Sequence, residues 1–407
     1  MKTEQSPDLR AGVRIRVAWT LYDFANSAYV LTVIAFAFPL FFRSVLAQNS
    51  PHSDFLWGLA LGSSVIGAGL LGPWVGRYAD RHGVHRPLFR TCVVVASIGM
   101  TGFLFLTRGQ IALGFGLFVI SNASFSLATA IYDSYLKTIA GQRPGWISGL
   151  AWGVGYLGGI GCLLLVFPWV RTLDAEQLSA YRIIFAVTAA WYACFSAPLL
   201  LLMPATQPSP PAIQAKFHPS LAKFYVGYFL LTDATGTLTN FASIFARETL
   251  QMSSTTIGAL LLYVQVVGVP ATIISGRLAD RWGAKRVVIS GAAGWAMVCV
   301  WMLVATSAVE FYAVCTLMGL VVGSTYSAAR TMLASLAPPG RAGEAFGLNL
   351  FSGRIAEAIA PLVFGFVSSA TGSQRLGVAA MLPFLLSGIV LLSQVRSKST
   401  LGPSETT

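Results

Sequence analysis

The chain has 407 residues, 55% hydrophobic and 10% charged, and a net charge of +12. Soluble proteins carry roughly 25% charged residues, so this composition excludes a water-soluble globule, which would lack the polar surface to cover itself. The positive charge suggests nucleic acid, but its distribution along the chain excludes that partner and marks a membrane topology instead.

Uncharged runs of about 20 residues mark helices that cross a bilayer. Twelve occur, near 15–42, 55–78, 88–107, 110–137, 146–169, 181–203, 221–247, 254–278, 286–306, 309–336, 345–370 and 376–395. Backbone groups in hydrocarbon must bond internally, and apolar runs without alternation exclude a β-barrel. The expected fold is an all-α membrane protein with 12 transmembrane helices.

The first run lacks a small-residue cleavage site and reads as an uncleaved anchor. It carries Asp23 and Asn26 within TLYDFANSAYVLT, residues 20–32. A charge at the bilayer centre costs about 3 kcal/mol, so Asp23 is expected to face a water-filled cavity, or else to sit in a static knot with Asn26 and Tyr22. The second run ends in GRYADRHGVHR, 76–86. On the fourth, Asn122, Ser126, Thr129 and Asp133 follow a 4-3-4 rhythm, one polar stripe of a helix. Asp133 could instead pair with Lys137 near the interface. The fifth carries ISGLAWGVGYLGGIG, 147–161.

After the sixth run, PATQPSPPAIQAKFHPS, 204–220, is proline-rich and polar and reads as a cytoplasmic linker. The expected domains are 1–203, the linker, and 221–407. In the second half Asp233, Thr237 and Asn240 share a face of the seventh run. GRLADRWGAKR, 276–286, follows the eighth and repeats the earlier motif at an offset of 200, with seven of eleven positions identical. Gly149 and Gly155 of the fifth run recur as Gly347 and Gly353 of the eleventh, at an offset of 198. Gly319, Gly323, Tyr326 and Arg330 share a face of the tenth run. Arg354 and Glu357 on the eleventh are either cavity groups or an intrahelical i, i+3 pair. An offset of 197 makes Asp133 and Arg330 equivalent, and Arg330 is expected to bond Asp133 or Asp23.

With the N-terminus inside, nineteen lysines and arginines lie on the inner side. Six lie outside: Arg43, Arg108, Arg171, Arg182, Arg247 and Arg375. This positive-inside bias puts both termini in the cytoplasm, with contact to anionic lipid headgroups as a secondary effect. The five cysteines fall within predicted helices without a C-x-x-C and read as packing residues. Trp19, Trp57, Trp146 and Trp169, near helix ends, read as interface anchors.

In the repeated motif, Gly76 and Gly276 let a helix end approach a neighbour's backbone. Asp80 and Asp280 can accept from the free N–H groups of a nearby helix start, with Arg81 and Arg281 as charge partners. Parallel six-helix repeats resemble the major facilitator fold, two pseudo-symmetric six-helix bundles. In that fold a G-x-x-x-D-R-x-G loop is a conformational latch. The opening W-x-L-Y-D-F-A-N-S-A-Y, Trp19 to Tyr29, is similar to the first-helix pattern of the vacuolar amino-acid effluxer-like major facilitators. The fifth run resembles their S-G-x-x-x-G-Y-x-G-G pattern, and SAARTMLASLAPPGRAGEAFGLNLFSGRIAEAIAP, 327–361, their S-R-S…P…F-G…G…P segment. The resemblance implies a central cavity lined by helices 1, 4, 7 and 10. Departures fall on those helices: IYDSYLKTIA in the fourth lacks the usual asparagine and later proline, LLTDATGTLTN in the seventh lacks a tyrosine before its acid, and Ala328 and Ala329 precede Arg330.

An intramembrane enzyme is not expected: His52, His82, His85 and His218 lie in loops or the linker, and there is no H-E-x-x-H and no P-loop. Without a P-loop the energy source is an ion gradient. The expected activity is secondary active transport by alternating access, probed by an acid and a base in the cavity: an amino acid, another zwitterion or an organic anion, coupled to H+, in either direction. The alternatives are a cation-coupled sugar symporter, a drug or metabolite–proton antiporter, which the absence of a G-P-x-x-G-G in the fifth run disfavours, and a non-transporting receptor. No cofactor, metal or nucleic acid is expected. A monomer among lipids is expected, in the cytoplasmic membrane if bacterial.

Overall fold

The computed structural model describes residues 7–170, 178–209 and 219–396. The side chains of 354–358 are not among those described, so Arg354 and Glu357 lie outside the described residues.

Helices stand at each of the twelve expected places. In the first half they are α1 (Pro7–Ala28), α2 (Ser53–His82), α3 (His85–Gly102), α4 (Ile111–Ser134), α5 (Pro144–Val170) and α6 (Leu178–Leu202). In the second they are α7 (Pro219–Glu248), α8 (Ser254–Trp282), α9 (Ala284–Val304), α10 (Ala308–Leu336), α11 (Ala342–Thr371) and α12 (Leu382–Ser393, preceded by the short helix Gln374–Ala379). Ten helical stretches among the described residues are long and apolar enough to cross a membrane, which makes this an integral multi-pass membrane protein. Of the other two, α11 has an apolar stretch at Ile359–Thr371, and α7 carries Lys223 and Asp233 within its length.

Local chemistry sets the boundaries. α2 runs to His82 and α8 to Trp282, so most of each repeated motif is helical. The motif's last glycine ends the helix: Gly83 has φ +66 and Gly283 φ +91, a region in which a side chain is strained. α10 opens with a capping box, Ser307 accepting from Glu310 N–H while Glu310 reaches back to the start of the helix. Beyond Ala28, α1 continues as wider π turns over Tyr29–Ala37 and Phe42–Leu46, separated by the turn Phe38–Phe41. That turn contains Pro39, which has no N–H to donate.

The chain forms two compact units. Unit 1 lies within Met1–Ala140, Val154–Pro211 and Gly340–Leu350; unit 2 lies within Gly141–Gly153, Ala212–Pro339 and Phe351–Thr407. Each unit is thus one sequence half with an exchange: the first residues of α5 belong to unit 2, and those of α11 to unit 1.

Unit 1 has an aromatic core. Trp19 is fully buried, stacks on Tyr132 at 4.3 Å and donates to the Tyr132 carbonyl. It is a packing residue, not the interface anchor its position near a helix end suggests. Phe38 lies 4.5 Å from Phe103 and 4.7 Å from Phe118, and Trp57 is part of this cluster, 4.8 Å from Phe118. Each such pair adds about 0.5–1.5 kcal/mol beyond area burial. In unit 2 the core includes Trp295, Phe245 and Phe311. Large apolar side chains such as Phe105, Leu362 and Phe366 are exposed, as helix faces turned to lipid require. Cys162, Cys299 and Cys315 are buried, whereas Cys194 is exposed.

Candidate functional site

The two signature segments of unit 1 explain each other. A Cβ on Gly155 would lie 2.8 Å from Ser27 Oγ and 3.2 Å from the Asp23 carbonyl, one on Gly158 would collide with the Phe24 carbonyl, and one on Gly159 would lie 3.3 Å from the Ser27 carbonyl. The G-Y-L-G-G of α5 is the groove in which the D-F-A-N-S backbone of α1 rests. Small residues allow such close approach in hydrocarbon, where packing rather than water drives association.

The repeated motif forms a clasp in each unit. In unit 1, Asp80 at the end of α2 accepts from the N–H groups of Gly343 at 3.0 Å and Glu344 at 2.7 Å, in the first turn of α11. A carboxylate there satisfies helix donors that have no partner within the helix and meets the positive end of its dipole. Gly72 and Gly76 face Gly343 and Gly347 across this contact. A Cβ on Gly72 would be 2.9 Å from the Gly347 carbonyl, and one on Gly343 2.7 Å from the Gly76 carbonyl. In unit 2, Asp280 accepts from Gly145 N–H at 2.7 Å and Trp146 N–H at 2.8 Å, in the first turn of α5. A Cβ on Gly276 would be 2.5 Å from the Gly145 carbonyl, and one on Gly149 2.5 Å from the Thr272 carbonyl.

The clasps differ in their charges. Asp80 is buried and also meets His85 Nε2 at 2.9 Å, while His85 Nδ1 lies 3.0 Å from Thr206 Oγ1 of the linker. Ser209 N–H donates to the Asp80 carbonyl, so the described start of the linker lies over this clasp. Glu344, 2% exposed, pairs with Arg77 at 2.6 Å and Arg341 at 2.7 Å. At the equivalent place in unit 2, Arg277 stacks over Trp146 at 3.9 Å and Asp280 is exposed. Arg81 and Arg281, expected as charge partners, are exposed; His85 meets Asp80 and Arg77 pairs with Glu344 instead. The sequence reading placed each aspartate against an unnamed helix start and did not single out His85, Arg77 or Glu344. Asp80→Asn is expected to lower the thermal unfolding temperature more than Asp280→Asn does. Removing one member of a buried pair costs about 3–5 kcal/mol, and exposed charges contribute less. Equal shifts by scanning fluorimetry would contradict this ordering.

The remaining expected residues are placed as follows. Asp23 is 9% exposed, and Asn26 is buried with its Oδ1 lacking a hydrogen-bond partner among the described residues. Asn122, 1% exposed, donates to Ser64 Oγ of α2 at 2.8 Å, so it ties two helices together. Asp133 is half-buried. Asp233, 1% exposed, accepts from Ala360 N–H at 2.9 Å, one residue before the proline inside α11. Thr237 Oγ1 donates within its helix to the Asp233 carbonyl, and Asn240 is exposed.

Arg330 anchors a second cluster in unit 2. It is 6% exposed, and its Nε donates to Ser148 Oγ and its NH2 to the Ser148 carbonyl, both at 2.9 Å. Ser148 Oγ in turn donates to the Ser327 carbonyl. The guanidinium lies 5.5 Å from the Trp152 ring, which stacks on Tyr326 at 5.8 Å; Tyr326 OH is 2.8 Å from Thr235 Oγ1. Tyr326 and Arg330 are thus brought together as their helical spacing implied. Ser148 and Trp152 were not foreseen, because the exchange of the α5 start into unit 2 leaves no mark in composition.

Residues 59–401 match the family described as "Vacuole effluxer Atg22 like". The chain is 26% identical over 414 residues to the uncharacterized MFS-type transporter YxiO of Bacillus subtilis, covering 95% of this chain and 96% of that one. It is 25% identical over 300 residues to autophagy-related protein 22 of Cryptococcus neoformans, with 65% of this chain covered, and it spans 52% of that fungal relative's length. Among solved structures, the MFS proton:xylose symporter XylE superposes with a TM-score of 0.76 at 15% identity, covering 96% of this chain and 97% of that one. At that identity the likeness speaks for the fold, which is the major facilitator fold.

Proposed function

This chain belongs to the vacuole effluxer Atg22-like family, and from that membership we propose that it is a secondary active transporter of a small polar solute bearing a carboxylate, an amino acid or a related organic anion. Twelve helices cross the membrane with both termini in the cytoplasm, and residues 1–203 rock against 221–395. The observation that carries the substrate class is Arg330. Its guanidinium is buried, held in one orientation by Ser148 and backed by Trp152. Arginine keeps its charge in nearly any site, and its planar fork suits a carboxylate.

The coupling ion is H+, carried by Asp23, with Asp233 as second candidate. Asp233 accepts from a backbone N–H, which suits it to a fixed structural role. Counterflow of radiolabelled amino acids in proteoliposomes tests the transport reading; no exchange of any carboxylate solute by the wild type would sink it. Asp23→Asn is expected to abolish uphill accumulation under a proton gradient while retaining exchange. Accumulation undiminished in that variant, measured with the same vesicles, removes Asp23 from coupling.

A further inference from the structure

A cavity of about 790 Å³ opens in unit 2 where α8 meets α9 and where α10 and α12 end. Lys285, Arg286 and Arg396 line it, together with Trp282, Ser335 and Gln394, and among the described lining residues there is no carboxylate. A fourth cation, Lys223, donates to Gln394 at 3.0 Å. Three cations around one concavity repel one another unless an anion sits between them.

The duplicated sequence supplies an internal control. Lys285 and Arg286 correspond to His85 and Arg86 of unit 1 at the offset of 200. There the chain supplies partners to all three side chains: His85 bonds Asp80 and Thr206, Arg86 donates through NH2 to the Leu201 carbonyl, and Arg90 donates to the Leu200 carbonyl. In unit 2, among the described residues, none of the Lys285, Arg286 and Arg396 side chains donates to a protein acceptor. Among the described residues, the place that unit 1 fills with its own chain is, in unit 2, a basic concavity.

Trp282 at its edge is 59% exposed, as tryptophans at the membrane–water level are. Basic pockets between membrane helices suit phosphate-bearing lipid headgroups. We propose that this pocket binds the phosphodiester headgroup of an anionic phospholipid, with Lys285, Arg286 and Arg396 on the phosphate and Trp282 beside the glycerol and upper acyl chain. The site is separate from the Arg330 cluster and does not depend on what is transported.

The test uses the full chain in nanodiscs of phosphatidylcholine with and without phosphatidylglycerol. Native mass spectrometry then counts the lipids retained. The wild type is expected to retain phosphatidylglycerol in preference to phosphatidylcholine. Each neutralised cation should lower that retention about fivefold, so Lys285→Gln with Arg286→Gln and Arg396→Gln should abolish the preference. The single variants Arg286→Gln and Arg396→Gln read the same effect if the triple variant unfolds in phosphatidylcholine alone. Retention by the triple variant, or by both single variants, equal to wild type overturns the proposal. So does displacement of phosphatidylglycerol from the wild type by inorganic phosphate, which would mark a site for the free ion.

Discussion

Gly76→Ala is expected to open the unit 1 clasp, whereas Gly67→Ala on the same helix is expected to be harmless. A methyl on Gly76 would collide with the Gly343 carbonyl and crowd Glu344 N–H at 2.8 Å. Both obstacles are backbone, so neither can rotate away, and α2 must part from α11. Overpacking of this kind costs about 1–3 kcal/mol. The separation also lengthens the bonds from Gly343 and Glu344 to Asp80, so the expected loss is larger than the steric term alone. A Cβ on Gly67 meets nothing within 4 Å, and alanine there removes glycine's helix penalty of about 1 kcal/mol. Thermal unfolding should therefore move in opposite directions for the two variants. Amide exchange at Gly343 and Glu344 should accelerate in Gly76→Ala only. Unchanged exchange at those amides would show that the glycine face is not what holds the clasp.

Arg330→Ala is expected to lower substrate transport on the order of 100-fold. Truncating one member of a buried charged contact costs about 2–5 kcal/mol. Arg330→Lys should recover little, since an ammonium on a flexible stem cannot donate to Ser148 Oγ and the Ser148 carbonyl in the fixed fork that Nε and NH2 provide. Ser148→Ala removes only the hydroxyl acceptor and leaves the carbonyl, so its effect should be nearer tenfold, the lower end for one hydrogen bond to a charged group at about 1.5 kcal/mol. Binding measured by scintillation proximity on purified protein separates loss of affinity from loss of turnover. Wild-type affinity in Arg330→Ala would remove the residue from substrate recognition.

Much of the fold could be read from the sequence because hydrocarbon imposes long uncharged runs, and helices stand at all twelve. The clasp aspartates were legible for a second reason: duplication at an offset of 200 separates a functional motif from an ordinary basic loop. Their partners were harder. Gly343 lies 263 residues from Asp80, and nothing local in A-G-E-A-F-G announces a helix start that will receive a carboxylate. His85 sat in a stretch that reads as a loop, and its role depends on Asp80 and Thr206 arriving from two directions. Trp19 misled because proximity to a helix end describes height in a membrane, not the side of the helix that faces protein. Ser148 and Trp152 were hidden by the same exchange that assigns residues 141–153 to the opposite unit.

That exchange has a consequence for how the protein is made. During synthesis, Asp80 and the Gly72–Gly76 face emerge long before residues 340–350, which cover them. At about 5–20 residues per second, the sequence separation of 263 residues occupies the ribosome for on the order of 13–50 s. Through that interval the first half waits in the bilayer with a buried-to-be carboxylate and a bare glycine groove. The clasp that ends this wait is among the last contacts to form, and a nascent chain released before residue 340 would leave unit 1 without its final strand of packing.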